Sequence, residues 1–267
     1  MTVHWFALAC GAALAIYVAV ECAKSPARYR RLKQEIASGD AKARMRLYNE
    51  ILRFEWISAG LAAAAVGFDV SKLRADGLGL ADLPFVRAWS SFFEDSGGHF
   101  ATGLAIGIGV ALLASLVALK IARKRRRNKK ALPAATPARK PRVLPDFAGM
   151  LPTNAMERAR FALVALSAGI CEEAVFRGWL MYALHDQAKL AGWALILASA
   201  GLFGVAHAYQ GISGIIVTGM LGFIFCGLYV GSGTLFWPIA LHALIDLRWA
   251  VFPIPQALRV DTPAATE

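Results

Sequence analysis

The stretch Phe161–Leu184 reads FALVALSAGICEEAVFRGWLMYAL, a long apolar run that contains three formal charges. It is long enough for an α-helix to cross a membrane, which takes about 20 residues. The charges at Glu172, Glu173 and Arg177 each cost about 2.5–3.5 kcal/mol at the centre of a membrane helix, so they need a structural or functional reason. Helical spacing places Arg177 one turn after Glu173, whereas Glu172 points about 100° away. We therefore expect one paired glutamate and one unpaired glutamate in a membrane helix.

The composition of the whole chain also indicates a membrane protein. Of its 267 residues, 57% are hydrophobic and 18% are charged, whereas soluble domains average about 25% charged residues. This balance excludes an ordinary soluble enzyme and a disordered chain, and the excess apolar surface must face lipid. The four cysteines lie in or at the ends of apolar stretches without C-x-x-C spacing, so we expect reduced, buried side chains.

Seven apolar segments are long enough, or nearly long enough, to cross a bilayer. We predict them at residues 3–22, 56–70, 101–119, 161–184, 190–208, 212–230 and 235–252. The segment 56–70 is short, and six spans are the alternative. A cleaved signal peptide is the alternative for the first segment, but no Lys or Arg precedes it, which favours an uncleaved anchor. The predicted fold is all-α, a polytopic transmembrane helical bundle of about seven spans.

The distribution of positive charge predicts the orientation. Lys120–Arg142 contains eleven Lys and Arg residues and no acid, which accounts for the net charge of +11. Beside an apolar helix, such a segment favours contact with anionic lipid headgroups on the cytoplasmic side, and we expect no nucleic-acid partner. The polar stretch 27–55, broken at Ser38-Gly39-Asp40, is predicted to be a cytoplasmic helical hairpin. The N-terminus then lies outside and the C-terminus in the cytoplasm, in a bacterial inner membrane or, alternatively, a eukaryotic endomembrane.

Four regions follow from these features. Residues 1–130 hold spans one to three, the hairpin, an external loop at 69–99 and the start of the basic segment. Residues 131–160 are a linker rich in Pro, Ala and basic residues, because its regularly spaced prolines cannot continue a helix. Residues 161–252 are the core with the remaining spans, and 253–267 are a C-terminal tail. We find no catalytic motif in the first region.

Polar residues recur on the later spans of the core. No Asp, Glu, Lys or Arg occurs between Leu190 and Ile245, yet this part contains His207 and His242, and Asp246 follows directly. Polar side chains in a membrane bundle face its interior or a wet cavity, so we expect them to meet Glu172 in one site. Small residues would allow the helices to approach closely; the candidates are Gly201, Gly204, Gly211, Gly214, Gly219 and Gly222.

Three motifs on successive apolar segments carry a family resemblance. EExxxR begins at Glu172, FxxxH ends at His207, and HxxxD runs from His242 to Asp246. In this order they resemble the CAAX-protease and bacteriocin-processing family (CPBP, or Abi) of intramembrane proteases, over about a third of the chain. The resemblance implies an intramembrane endopeptidase of the CAAX prenyl protease type, with 161–252 as its catalytic core and a membrane-associated peptide or protein as substrate. Eukaryotic prenyl-protein members usually have Asn where this chain has Asp246.

The resemblance also implies catalytic roles for residues of the first two motifs. Glu172 is expected to act as the general base that activates water, and His207 to hold and polarise that water. Glu173 and Arg177 are expected to fix the helix geometry and the charge on Glu172.

The resemblance also implies roles for the two residues of the third motif and raises the question of a metal ion. His242 is expected to stabilise the oxyanion, while Asp246 orients its ring or, when protonated, donates a hydrogen bond. The family is often called metalloprotease, and Glu172, His207 and His242 are candidate ligands for Zn²⁺. No H-E-x-x-H motif supports a metal directly. A metal-free glutamate mechanism uses the same residues, and we slightly favour it.

Two other classes of protein would use the same polar residues. Intramembrane Glu, His and Arg also occur in proton- or ion-coupled transporters. A transporter commonly shows an internal repeat, and the two halves of this chain share no motif that we find. A non-catalytic membrane scaffold or immunity protein that keeps the family fold is the other alternative.

Overall fold

The computed structural model describes residues 2–69, parts of 71–91 and residues 146–254. These parts are helical and contain no β-strand, which confirms the all-α prediction. The main helices are α1 (Thr2–Ala37), α2 (Ala43–Ala65), α3 (Ala155–Glu173), α4 (Met181–Asp186), α5 (Gly192–Ala206), α6 (Gly211–Ser232) and α7 (Phe236–Val251). The predicted span 101–119, the basic segment 120–142 and the prolines of the linker lie outside the described residues.

Helix α1 continues through an internal proline. Pro26 has no N–H to donate to the carbonyl of Cys22, four residues earlier. The hydroxyl of Ser25 donates to this carbonyl at 2.8 Å. Because this side-chain bond replaces the missing backbone bond, one helix extends from the predicted first span into the polar stretch that follows.

Helices α1 and α2 form an antiparallel hairpin. Arg31 Nη2 donates to Glu50 at 2.6 Å near the turn, and the rings of Tyr17 and Phe54 lie 5.6 Å apart further along. The turn comprises residues 38–42, where the sequence predicts the break. A hydrogen bond from Arg46 to Asp40 lowers the pKa of this carboxyl below its usual value, which keeps the turn's ion pair charged. The cytoplasmic location of the hairpin stays a prediction.

The hairpin packs against the C-terminal core. Trp56 Nε1 on α2 donates to Ser167 Oγ on α3 at 3.1 Å. The Tyr48 hydroxyl donates to the carbonyl of Met150 at 2.6 Å, just before α3 begins. These bonds join the hairpin to α3 and to the segment just before it, so the hairpin packs beside the helix that carries Glu172.

The predicted external loop at 69–99 contributes to the core as well. Its described residues include the 3₁₀ turn Ala75–Leu78, and Leu80 and Val86 are buried. They pack in one cluster with Met181 of α4 and Tyr229 of α6. Part of this segment is therefore a packed element, which its glycines and mixed charge did not predict.

Close helix approaches within the core depend on glycine. A Cβ atom built on Gly169 of α3 would lie 2.9 Å from Ala243 Cβ on α7. One built on Gly204 of α5 would lie 2.7 Å from the carbonyl oxygen of Ile215 on α6. The close packing predicted at Gly204 is therefore confirmed, whereas Gly201 faces open space with no atom within 4 Å.

This contrast between two glycines of one helix gives a matched test. We expect Gly204→Ala to cost about 1–3 kcal/mol of stability, because α5 and α6 would have to move apart. Gly201→Ala should be neutral or stabilise by up to about 1 kcal/mol, because alanine favours the helix. Thermal unfolding of both purified variants in detergent measures the difference, and equal midpoints would contradict the close approach.

Two of the described helices are long and apolar enough to cross a membrane, judged by length and composition. They are Trp5–Ala37 and Ala208–Ser232, and α5 is a shorter apolar helix. The helices α3 and α7 carry charged residues within otherwise apolar sequence. The count of seven spans stays a prediction.

Candidate active site

The predicted site residues lie on α3 and its continuation, at the end of α5 and on α7. Between α3 and α4 the chain forms a π-helical segment, Ala174–Leu180. Such segments are rare and are frequently found at functional sites. The sequence did not predict it, because its apolar residues also fit an ordinary α-helix.

Arg177 is completely buried and connects three helices. Its Nη1 donates to Glu173 Oε1 at 2.8 Å, which confirms the predicted pair. Its Nη2 donates to the carbonyl of Gly222 on α6 at 3.1 Å. The guanidinium lies 4.3 Å from the ring centroid of Phe203 on α5, a cation–π distance. The ion pair therefore fixes the π-helical segment against α5 and α6.

His242 on α7 is held by the same carboxylate. Its Nδ1 lies 2.8 Å from Glu173 Oε1, and because an ionised carboxylate only accepts, the histidine donates. Asp246 Oδ2 lies 3.7 Å from His242 Nε2, which is too long for a hydrogen bond. Glu173, from another helix, therefore makes the hydrogen bond that orients the ring, and the role expected of Asp246 stays a prediction.

His207 lies at the C-cap of α5, beyond its last helical residue. Its Nδ1 is 2.8 Å from the carbonyl oxygen of Phe203. A carbonyl accepts only, so Nδ1 carries the proton, and in the neutral ring Nε2 has a free lone pair. That nitrogen faces Glu172 Oε2 at 3.8 Å.

Glu172 lies near both histidines of the site. Its Oε2 is buried and has no hydrogen-bond partner among the residues that the structure describes. It lies 3.8 Å from His207 Nε2 and 3.9 Å from His242 Nε2. These distances are too long for direct hydrogen bonds but allow one water molecule to be shared among the three groups. The structure thus brings Glu172, His207 and His242 together, with Asp246 at the edge.

Glu172 is separated from His207 and His242 by more than the ligand atoms of a zinc ion are from each other. Carboxylate and imidazole are suitable ligand types, and bonds of about 2.1 Å in tetrahedral geometry place ligand atoms about 3.4 Å apart. The separations from Glu172 are longer, and no group of three His, Cys, Asp or Glu in the described residues has metal-binding spacing. As placed, these residues do not fit a zinc ion, and we assign no step to one.

A cavity of about 130 Å³ opens onto Glu172 and His207. Much of its wall comes from the N-terminal hairpin, in which the sequence shows no catalytic motif. Helix α2 contributes Glu55 and Ser58, and both are buried. Glu55 is not among the predicted site residues. One signal in the sequence points to it: it is an acidic residue directly before an apolar segment, at a predicted membrane boundary.

Comparison with known families gives a match over this site. Residues 154–248 match the family model described as Rce1-like, type II CAAX prenyl endopeptidase. The segment covers about a third of the chain and includes all six predicted site residues. The family predicted from the three motifs is thereby confirmed for this segment. The family and the apolar helices indicate a membrane protein with a CAAX-protease type of function. Comparisons with curated proteins and with solved structures gave no match.

Proposed function

We propose that the protein is an intramembrane endopeptidase that hydrolyses a peptide bond with water activated by Glu172. The observation that carries this proposal is the buried Oε2 of Glu172, which has no hydrogen-bond partner in the described parts of the chain and faces two imidazole nitrogens from other helices. A buried carboxylate oxygen without a hydrogen bond destabilises the folded protein, so its presence indicates a functional role. A carboxylate beside two imidazole nitrogens can act as the general base that activates water.

The proposed reaction begins with a water molecule between Glu172 and His207. Glu172 accepts one of its protons, and His207 Nε2 accepts a hydrogen bond from the other, because His207 Nδ1–H is already used on Phe203. The water oxygen attacks the peptide carbonyl carbon and forms the new C–O bond. Glu172 then returns the proton to the amine nitrogen as the C–N bond breaks, so atoms and charges balance.

His242 is proposed to stabilise the oxyanion of this intermediate. The hydrogen bond from Nδ1 to Glu173 orients the ring. In its positively charged form the ring carries a second N–H at Nε2, which can donate to an oxyanion. Because Nε2 lies 3.9 Å from Glu172 Oε2, this N–H would reach the carbonyl oxygen of a peptide bound beside Glu172. Glu173 and Arg177 are positioning residues in this scheme. Asp246 Oδ2 lies 3.7 Å from His242 Nε2 and is proposed to support the charge of this ring.

The proposed setting is a bundle of about seven spans in a bacterial inner membrane, with the C-terminus in the cytoplasm. Support comes from α6, where large apolar side chains on one face are exposed, among them Ile212 at 79% and Met220 at 64%. Such a face suits lipid better than water. The substrate would be a membrane-associated peptide or protein, and the basic residues 120–142 would contact anionic headgroups.

The test is cleavage by the purified protein in detergent, with and without a metal chelator. The probes are a library of membrane-proximal peptides and farnesylated C-a-a-X peptides, with products read by mass spectrometry. We expect cleavage that changes by less than about twofold with the chelator, because the spacing around Glu172 does not fit a metal.

Two outcomes would contradict this expectation. Cleavage that is lost with the chelator and restored by zinc would make His207 and His242 metal ligands. No cleavage of any peptide, together with ion flux in proteoliposomes, would reject the protease and favour a transporter.

A further inference from the structure

Helix α2 presents a continuous face to the cavity of the proposed active site. This face comprises residues spaced by three and four, which share one side of a helix: Leu47, Ile51, Phe54, Glu55 and Ser58. Its first part is apolar, and its last turn carries a carboxyl and a hydroxyl. The wall of the same cavity also contains Glu172 and His207.

The carboxyl and the hydroxyl are both buried, with 2% of Glu55 and 3% of Ser58 exposed. Glu55 Oε2 and Ser58 Oγ have no hydrogen-bond partner among the described residues. Leaving such buried polar atoms without a hydrogen bond destabilises a folded protein. Two orphaned polar atoms one turn apart and facing one cavity indicate a polar ligand that pairs with both.

The charged residues around Glu55 indicate which kind of ligand would bind there. The acid Glu172 lies in the wall of the same cavity, and the other charged residues of the wall, Glu21 and Arg28, pair with each other. A ligand with an acidic group at this position would therefore be repelled, whereas N–H donors would be favoured. A peptide main chain supplies both an N–H for Glu55 and a carbonyl for Ser58.

We propose that Glu55 and Ser58 form a binding subsite for the main chain of the substrate peptide. Glu55 accepts from a peptide N–H, and the Ser58 hydroxyl donates to a peptide carbonyl. The apolar residues of the same face, Leu47, Ile51 and Phe54, contact the substrate's side chains. The inference rests on the proposed peptidase function, and it assigns substrate binding to the N-terminal hairpin.

The variants that test the subsite are Glu55→Leu and Ser58→Ala. Each removes one hydrogen bond to the ligand, so we expect KM and the dissociation constant of the peptide to rise roughly 2- to 12-fold, with kcat unchanged. Because each change also removes an orphaned polar atom, the thermal midpoint without peptide should stay the same or rise. A residue kept only for structure would lower the midpoint.

Matched variants make the result specific. Glu55→Gln keeps an acceptor oxygen and Ser58→Thr keeps the hydroxyl, so both should bind peptide within about twofold of the parent protein. Arg53 lies on α2 outside this cavity, and its exposed side chain donates to the carbonyl of Asn49. Arg53→Gln should therefore leave peptide binding unchanged.

Binding is measured by fluorescence anisotropy with the full chain in detergent, in a Glu172→Gln background that leaves the peptide uncut. The probes are a labelled farnesylated C-a-a-X peptide and a labelled unprenylated peptide of the same sequence. Weaker binding by the Glu55→Leu/Ser58→Ala double variant supports the subsite, even where the parent protein cuts nothing and the proposed function fails. An unchanged dissociation constant, no binding by the parent protein, or a fall in kcat with KM unchanged would overturn it.

Discussion

Replacing Glu172 by Gln is expected to lower kcat/KM by roughly 10²- to 10⁴-fold, the usual contribution of a general base. Glutamine has nearly the same shape but cannot take a proton from water. The folded state should be unaffected, because Oε2 of Glu172 has no hydrogen-bond partner to lose within the described residues. The measurement is the initial rate of peptide cleavage, together with the thermal midpoint of the purified protein.

The control for this change is Glu35→Gln, on α1 at the turn of the hairpin and away from the cavity. It should cleave at the rate of the parent protein. Parent-like cleavage by Glu172→Gln would remove Glu172 from its assigned role. A variant that is inactive because it does not fold would be recognised by a lower thermal midpoint.

The second large effect is expected for the buried ion pair. Arg177→Met should cost about 3–5 kcal/mol, because it leaves the carboxylate of Glu173 buried without its guanidinium partner. It also removes the donor to the Gly222 carbonyl, which ties the π-helical segment to α6. For a chain of this size we expect the thermal midpoint to fall by roughly 10 °C.

A double variant distinguishes the effect of the buried charge on stability from its effect on activity. Glu173→Gln combined with Arg177→Met removes both charges, so part of the lost stability should return. Activity should stay low, because His242 then lacks the carboxylate that orients it. An Arg177→Met protein with the parent's midpoint would show that the pair contributes little to the fold.

The sequence predicts well what depends on neighbours within one helix. The Glu173–Arg177 pair follows from a spacing of four residues, and the break at residues 38–42 follows from a turn signal. The helices of the core also cover most of the predicted apolar segments, because runs of apolar residues are a strong signal.

The sequence predicts poorly what depends on how helices meet. The bond between Glu173 and His242 joins residues 69 positions apart, and nothing in local spacing favours it over a bond from Asp246. The same limit explains why Glu55 was not predicted: it lines the same cavity as Glu172 because α2 packs against α3. The π-helical segment could not be predicted from the sequence for a different reason: no particular residue type marks such a segment.

The most direct test of water activation by Glu172 is a single-turnover cleavage of the best library peptide in water labelled with heavy oxygen. Mass spectrometry then follows both the peptide and the intact protein. Direct attack by water predicts one labelled oxygen in the new carboxyl group and no covalent peptide adduct on the protein. An acyl adduct, on Cys171 beside Glu172 or on any serine of the cavity, would contradict the glutamate mechanism and indicate a nucleophilic side chain instead.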